Sequence, residues 1–137
     1  MFEKKKKRKI EKLDQQQRQG TSLITVTKPS SIVAEQFRTI RTNIQFSMID
    51  KDLKTIIFTS SGPWEGTSTV AANIASVFAD QGKRVVLVDA DMRKPTVFRT
   101  FNIHNNTGLS TMITSRQTTL QDVVQRVEEV GLDVISS

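Results

Sequence analysis

The sequence contains no cysteine, no tyrosine, one histidine and only three prolines. Without cysteine there is no disulfide framework, no thiolate ligand for zinc and no thiol nucleophile, which fits a reducing compartment. Aromatic residues make up 6% of the chain, so stacking surfaces are scarce. No apolar run approaches the roughly 20 residues that span a bilayer. Met1-Phe2-Glu3-Lys4 runs into charge rather than an apolar stretch, so no secretory signal is expected. These absences lead to the expectation of a cytoplasmic protein. A length of 137 residues suits one domain, and 36% apolar residues leave part of the chain outside its core.

Acidic charge is scarce at one end. The formal charge is +6, and residues 1–20 hold eight bases against three acids, so +5 of it sits there. A pI near 9.9 is therefore a property of that end and not of the body. Residues 1–20 are expected to form a disordered basic tail, with Lys4, Lys5, Lys6, Lys7, Arg8 and Lys9 available to an anionic membrane surface. Nucleic acid is a poor fit, because only Phe2 is interleaved with these bases for stacking.

Residues 21–31, rich in Thr and Ser around Pro29, read as a linker. Val33, Phe37, Ile40, Ile44 and Met48 then recur at helical spacing, with Ser31 as the N-cap. Glu35, Arg38 and Arg41 are expected on the opposite, solvated face, close together at three-residue spacing. Lys54-Thr55-Ile56-Ile57-Phe58-Thr59 reads as a buried strand, and Val85-Val86-Leu87-Val88 as a second. Between them lies a helix with Val70, Ala71, Ile74, Ala75, Val77 and Phe78 on its apolar side and Gly82 just past its end. Strand, helix and strand make a βαβ unit, hence an α/β fold with a parallel, doubly wound sheet. Further on, Thr119 and Asp122 are spaced as a capping box before a helix carrying Leu120, Val123, Val124 and Val127. Leu132-Asp133-Val134-Ile135 starts a third strand.

The chemistry is concentrated where the first strand meets its helix. Backbone N–H groups and the helix dipole make such a junction a phosphate site. Against the template G-x-x-x-x-G-K-[ST], the chain reads Ser61-Gly62-Pro63-Trp64-Glu65-Gly66-Thr67-Ser68, followed by Thr69. The second glycine and the metal-binding hydroxyl, Ser68, are in place, while Thr67 stands where the template has lysine. The second strand ends in Asp89-Ala90-Asp91, two carboxylates at the carboxyl end of a parallel strand, where such sheets bind ligands. If the extended geometry persists, both point to one side, as Mg²⁺ ligands or as a base for a hydroxyl nucleophile.

The loop and the segment Val86-Leu87-Val88-Asp89-Ala90-Asp91-Met92-Arg93-Lys94-Pro95 together resemble the bacterial tyrosine kinases of capsule and exopolysaccharide gene clusters. In that family the two segments are the Walker A and Walker A′ motifs. Glu35-Gln36-Phe37-Arg38-Thr39-Ile40-Arg41 is similar to the family's Glu-x-x-Arg-x-x-Arg element, which joins subunits into a ring. The resemblance implies a P-loop fold over residues 32–137, ATP and Mg²⁺ as cofactors, and phosphorylation of protein tyrosine. It implies nucleotide contacts from Ser61, Gly62, Pro63, Trp64, Glu65, Gly66, Thr67, Ser68 and Thr69, with Ser68 and Asp91 on the metal. Asp89 and Asp91 would be the catalytic pair, with Asp89 facing the tyrosine hydroxyl. It further implies a cytoplasmic protein at the inner face of the plasma membrane, paired with a membrane-embedded polysaccharide co-polymerase.

The chain departs from the family pattern at Thr67, at Trp64 where a small residue is usual, and in having no tyrosine to serve as its own substrate. It is expected to stop before the Walker B strand, as a truncated kinase would. Losing a charge-assisted hydrogen bond costs roughly 1.5–3 kcal/mol, which weakens nucleotide binding without abolishing it. The alternative reading is a non-catalytic paralogue that joins kinase rings or occupies the co-polymerase. A partitioning-type ATPase with its tail on DNA ranks last, because the Glu35/Arg38/Arg41 helix speaks for the kinases.

Overall fold

The computed structural model describes residues 1–16, 23–62 and 66–137, with side chains described from 1 to 11 in the first stretch. Helix α1, Phe2–Gln16, is built from Lys, Arg, Glu and Gln, all good helix formers, with neither glycine nor proline among them. It stands where a disordered tail is expected over residues 1–20. The helix touches the body, where Lys9 Nζ meets Glu129 at 2.8 Å. The hydrogen bond from Lys9 holds the Glu129 carboxyl below the ordinary glutamate range, and the same bond raises the Lys9 ammonium.

The expected linker is also ordered from residue 23 onward. Helix α2, Ile24–Thr27, follows Leu23, which is fully buried in the core. Thr25 donates from both its backbone N–H and its hydroxyl to Asn73 Oδ1, at 3.1 and 2.9 Å. A short apolar anchor, Leu23 with Val26, outweighs the turn-forming composition around it. Residues 17–22 lie outside the described residues.

Helix α3, Ile32–Ser47, starts as expected, with the Ser31 hydroxyl accepting from the Ala34 N–H. Its inward stripe is Ala34, Phe37, Arg38, Arg41, Ile44 and Met48, while Val33 and Ile40 are more than a third exposed. The arginines are therefore not on the solvated face. Arg41 donates to the Val77 carbonyl at 2.7 Å across the contact between α3 and the next helix.

That next helix, α4, Thr67–Asp80, runs from Gly66 to Gly82, both at positive φ where glycine is favoured. Ala72 and Ala75 are buried and let α4 approach strand β1, Val86–Val88. After β1 come three short helices, α5 (Val97–Thr100), α6 (Leu109–Thr114) and α7 (Leu120–Val123). The capping pair is present, Asp122 accepting from the Thr119 N–H at 2.7 Å and from its hydroxyl at 3.0 Å, which holds the Asp122 carboxyl low. The expected helix nevertheless stops after one turn. Val124–Val127 is strand β2, since β-branched residues there pair with β3, Leu132–Ile135, around Gly131.

The sheet has the order β1-β3-β2, with β1 parallel to β3 and β2 antiparallel to it. The α/β class and the parallel pair agree with expectation. The strand expected at 54–59 does not form: residues 52–60 pair with no strand among the described residues. A ladder needs a partner, and a cavity of about 1760 Å³ separates this segment from β1. Ile57 is accordingly 84% exposed. The core lies on the other side, where Leu23, Ala72, Leu87, Phe101, Leu132 and Val134 meet.

Candidate functional site

Gly66, at φ 77°, turns the chain into α4, so the N–H groups of Thr67, Ser68 and Thr69 open the helix without partners inside it. All three residues border the large cavity, as do Gly62 and Gly66. Ser61 is not among the lining residues, and the neighbouring Ser60 hydroxyl donates to the Gly62 carbonyl at 2.9 Å. Pro63, Trp64 and Glu65 lie outside the described residues.

Asp89 and Asp91 line the same cavity, so the two segments singled out in the sequence face one space. Their carboxylates differ in burial and in partners, however. β1 ends at Val88, and the chain then folds on its own carboxylates. Asp89 is 5% exposed and accepts from the Asp91 N–H at 3.0 Å and from the Val97 N–H at 3.3 Å. Asp91 is exposed, and its Oδ1 accepts from the N–H groups of Arg93 and Lys94 at 3.1 and 3.0 Å. Aspartate bonds backbone two residues on, and this local chemistry ends the strand and gives the two groups different partners.

Sequence reading missed the basic character of the cavity wall. Lys51, Lys54, Lys83, Arg84, Arg93 and Lys94 line it beside Asp52, Asp89 and Asp91. The signal was present in Arg93-Lys94 and Lys83-Arg84, each flanking β1, but bases spread over several segments form no motif. Six bases against three acids suit a polyphosphate even with Thr67 in the loop. Among the described residues no group of three His, Cys, Asp or Glu side chains is arranged to hold a metal. Mg²⁺ needs less than that, since it keeps several waters and takes one or two protein oxygens plus phosphate. Ser68 and Asp91, both hard oxygen donors on the cavity, fit such an ion.

Glu35, Arg38 and Arg41 are brought together on α3, but within the chain. Arg38 NH2 lies 2.9 Å from Glu35 and also donates to the Pro29 carbonyl at 2.6 Å. Arg41 reaches α4, and its Nε is buried without a partner.

No family model matches the chain. Among curated proteins it is 46% identical over 120 residues to the tyrosine-protein kinase YwqD of Bacillus subtilis, a match covering 88% of this chain and 50% of that one. Among solved structures, the chimerical protein CapA2B2 aligns with a TM-score of 0.78 at 41% identity, over 87% of this chain and 54% of that one. The kinase domain of the Escherichia coli tyrosine kinase ETK gives the same TM-score at 27% identity, over 85% of this chain and 46% of that one. The sequence in hand thus spans about half the length of the curated relative. The order of its elements, the junction at Gly66 and the two aspartates after β1 lead with these likenesses to one conclusion: the chain is similar to bacterial tyrosine kinases over about half the length of the curated relative.

Proposed function

We propose that residues 32–137 form the N-terminal portion of an ATP-binding tyrosine-kinase domain that regulates capsular or exopolysaccharide synthesis, with catalysis weakened by Thr67. The observation that carries this reading is the meeting of the α4 N-terminus with Asp89 and Asp91 on one basic cavity. In it, the N–H groups of Gly62, Gly66, Thr67, Ser68 and Thr69 hold the ATP phosphates, and the likeness to the kinases assigns Ser61, Pro63, Trp64 and Glu65 to the same nucleotide contact. Ser68 and Asp91 hold Mg²⁺, which supplies charge neutralisation at the phosphates. Asp89 shapes the turn that positions Asp91, and it accepts a substrate hydroxyl once its backbone bonds loosen. None of these 137 residues is a tyrosine, so none of them is the acceptor.

The likeness to these kinases also supports a membrane polysaccharide co-polymerase as partner and a position at the inner face of the plasma membrane. Among the described residues no helix is long and apolar enough to cross a membrane. Association with itself or with homologous kinase subunits, through Glu35, Arg38 and Arg41, requires these side chains to exchange their present partners. The non-catalytic alternative is favoured by one observation, the engagement of both Asp89 oxygens by backbone N–H groups.

Calorimetric titration with Mg²⁺-ATP tests the site. Thr67→Lys is expected to tighten binding by roughly tenfold or more, the effect of one charge-assisted contact. Absence of binding by both proteins overturns the nucleotide reading. Phosphotyrosine on an added tyrosine-rich protein, formed by Thr67→Lys and not by the parent chain, separates the catalytic reading from its alternative.

A further inference from the structure

We infer that α1 is a surface element that binds an anionic lipid bilayer, with its bases on the headgroups and Met1 and Phe2 in the acyl boundary. Three observations carry this. Lys4, Lys5, Lys6, Lys7 and Arg8 are all exposed on a single helix. Their row is opposed on described α1 side chains only by Glu3 and Glu11, both exposed as well. Met1 and Phe2 are 97% and 92% exposed at the same end, where no packing against the body accounts for them.

The sixth base of the run is used differently. Lys9 is paired with Glu129, and α1 touches α2 and α5. The helix is therefore fastened through Lys9, while the five exposed bases, being consecutive, are spread around its first turns. Basic residues beside apolar ones on a helix are what a membrane surface selects, since headgroups attract the charge and the interface takes the apolar side chains. A nucleic acid would use the bases but would leave Met1 largely in water. Beyond residue 20 the charge sums to only +1, and the six bases that gather there line the cavity beside β1.

The full chain is tested by co-sedimentation with phosphatidylcholine vesicles, with and without 30% phosphatidylglycerol, a roughly physiological anionic fraction. Binding to the anionic vesicles alone, falling as salt rises, is expected. Each Lys→Gln change among Lys4 to Lys7 lowers it roughly fivefold at low salt, equivalent to the ~1 kcal/mol a basic residue contributes at an anionic leaflet. Phe2→Ser lowers partition several-fold and leaves the salt dependence unchanged. Circular dichroism on each variant distinguishes loss of the helix from loss of the contact. Equal sedimentation with neutral vesicles, no sedimentation with either, or insensitivity to the Lys→Gln changes in a still-helical protein overturns the inference. Capture by duplex DNA stronger than capture by anionic vesicles also overturns it, and assigns α1 to nucleic acid.

Discussion

The two edges of β1 have opposite surroundings. On one, Val86–Val88 pairs with β3 in register Val86↔Asp133 to Val88↔Ile135, and the core closes behind it. On the other, Val86 and Val88 are 53% and 44% exposed to a cavity, beyond which residues 54–60 run without a ladder. The amino acids on the two sides are alike, β-branched and apolar. What differs is the presence of a partner, and a strand is a property of pairs.

The largest expected effect breaks the closed side. Gly108 lies against the end of β3, and a Cβ there would overlap the Ser136 carbonyl oxygen. Gly108→Ala is expected to cost about 3 kcal/mol in denaturant unfolding, the upper range for inserting an atom into a packed site. Next is Asp89→Ala, which strips the acceptor from the Asp91 and Val97 N–H groups. It should cost about 2 kcal/mol, with Asp89→Asn retaining part of that.

On the open side, Ile57→Lys is expected to change stability by less than about 0.5 kcal/mol, as at other exposed positions. It should also raise solubility, since an unpaired apolar segment invites association. A cost of several kcal/mol would mean that residues 54–60 are packed as tightly as β3. The smallest effect is on pH. Glu129 titrates below its unfolded range, so its contribution is present above that range and fades as pH falls through the lowered value. Lys9 is raised, so its contribution is present below its unfolded value and fades as alkaline pH passes the raised one. Hydrogen-exchange protection in α1, taken relative to intrinsic exchange at each pH, should therefore be greatest between these limits and fall in acid before that of the core does.

Legibility in the sequence follows the same division. Ser31 before α3, Gly82 after α4 and the Thr119–Asp122 pair were readable because each is satisfied by neighbours a few residues away. The site segments were readable for the same reason, as Gly66 and the two aspartates act on adjacent backbone. Residues 54–59 misled because their pattern states only that they are fit for a sheet. Val124–Val127 misled in the other direction, since its partner β3 lies beyond Gly131 and outcompetes a weak helix. Leu23 and Thr25 read as linker because the partner of Thr25, Asn73, is 48 residues away. The inward turn of Arg41 depends on a carbonyl of α4, which no periodicity on α3 records.

The central claim is that the α4 N-terminus and the Asp89–Asp91 turn bind a nucleotide together. The most direct test is a titration of the full chain with Mg²⁺-ATP, followed by backbone amide NMR. Shifts concentrated at Gly66, Thr67, Ser68, Thr69 and Asp91, and enlarged in Thr67→Lys, are predicted. Shifts confined to the basic α1 helix, or none at these five amides at saturating ATP, would contradict it.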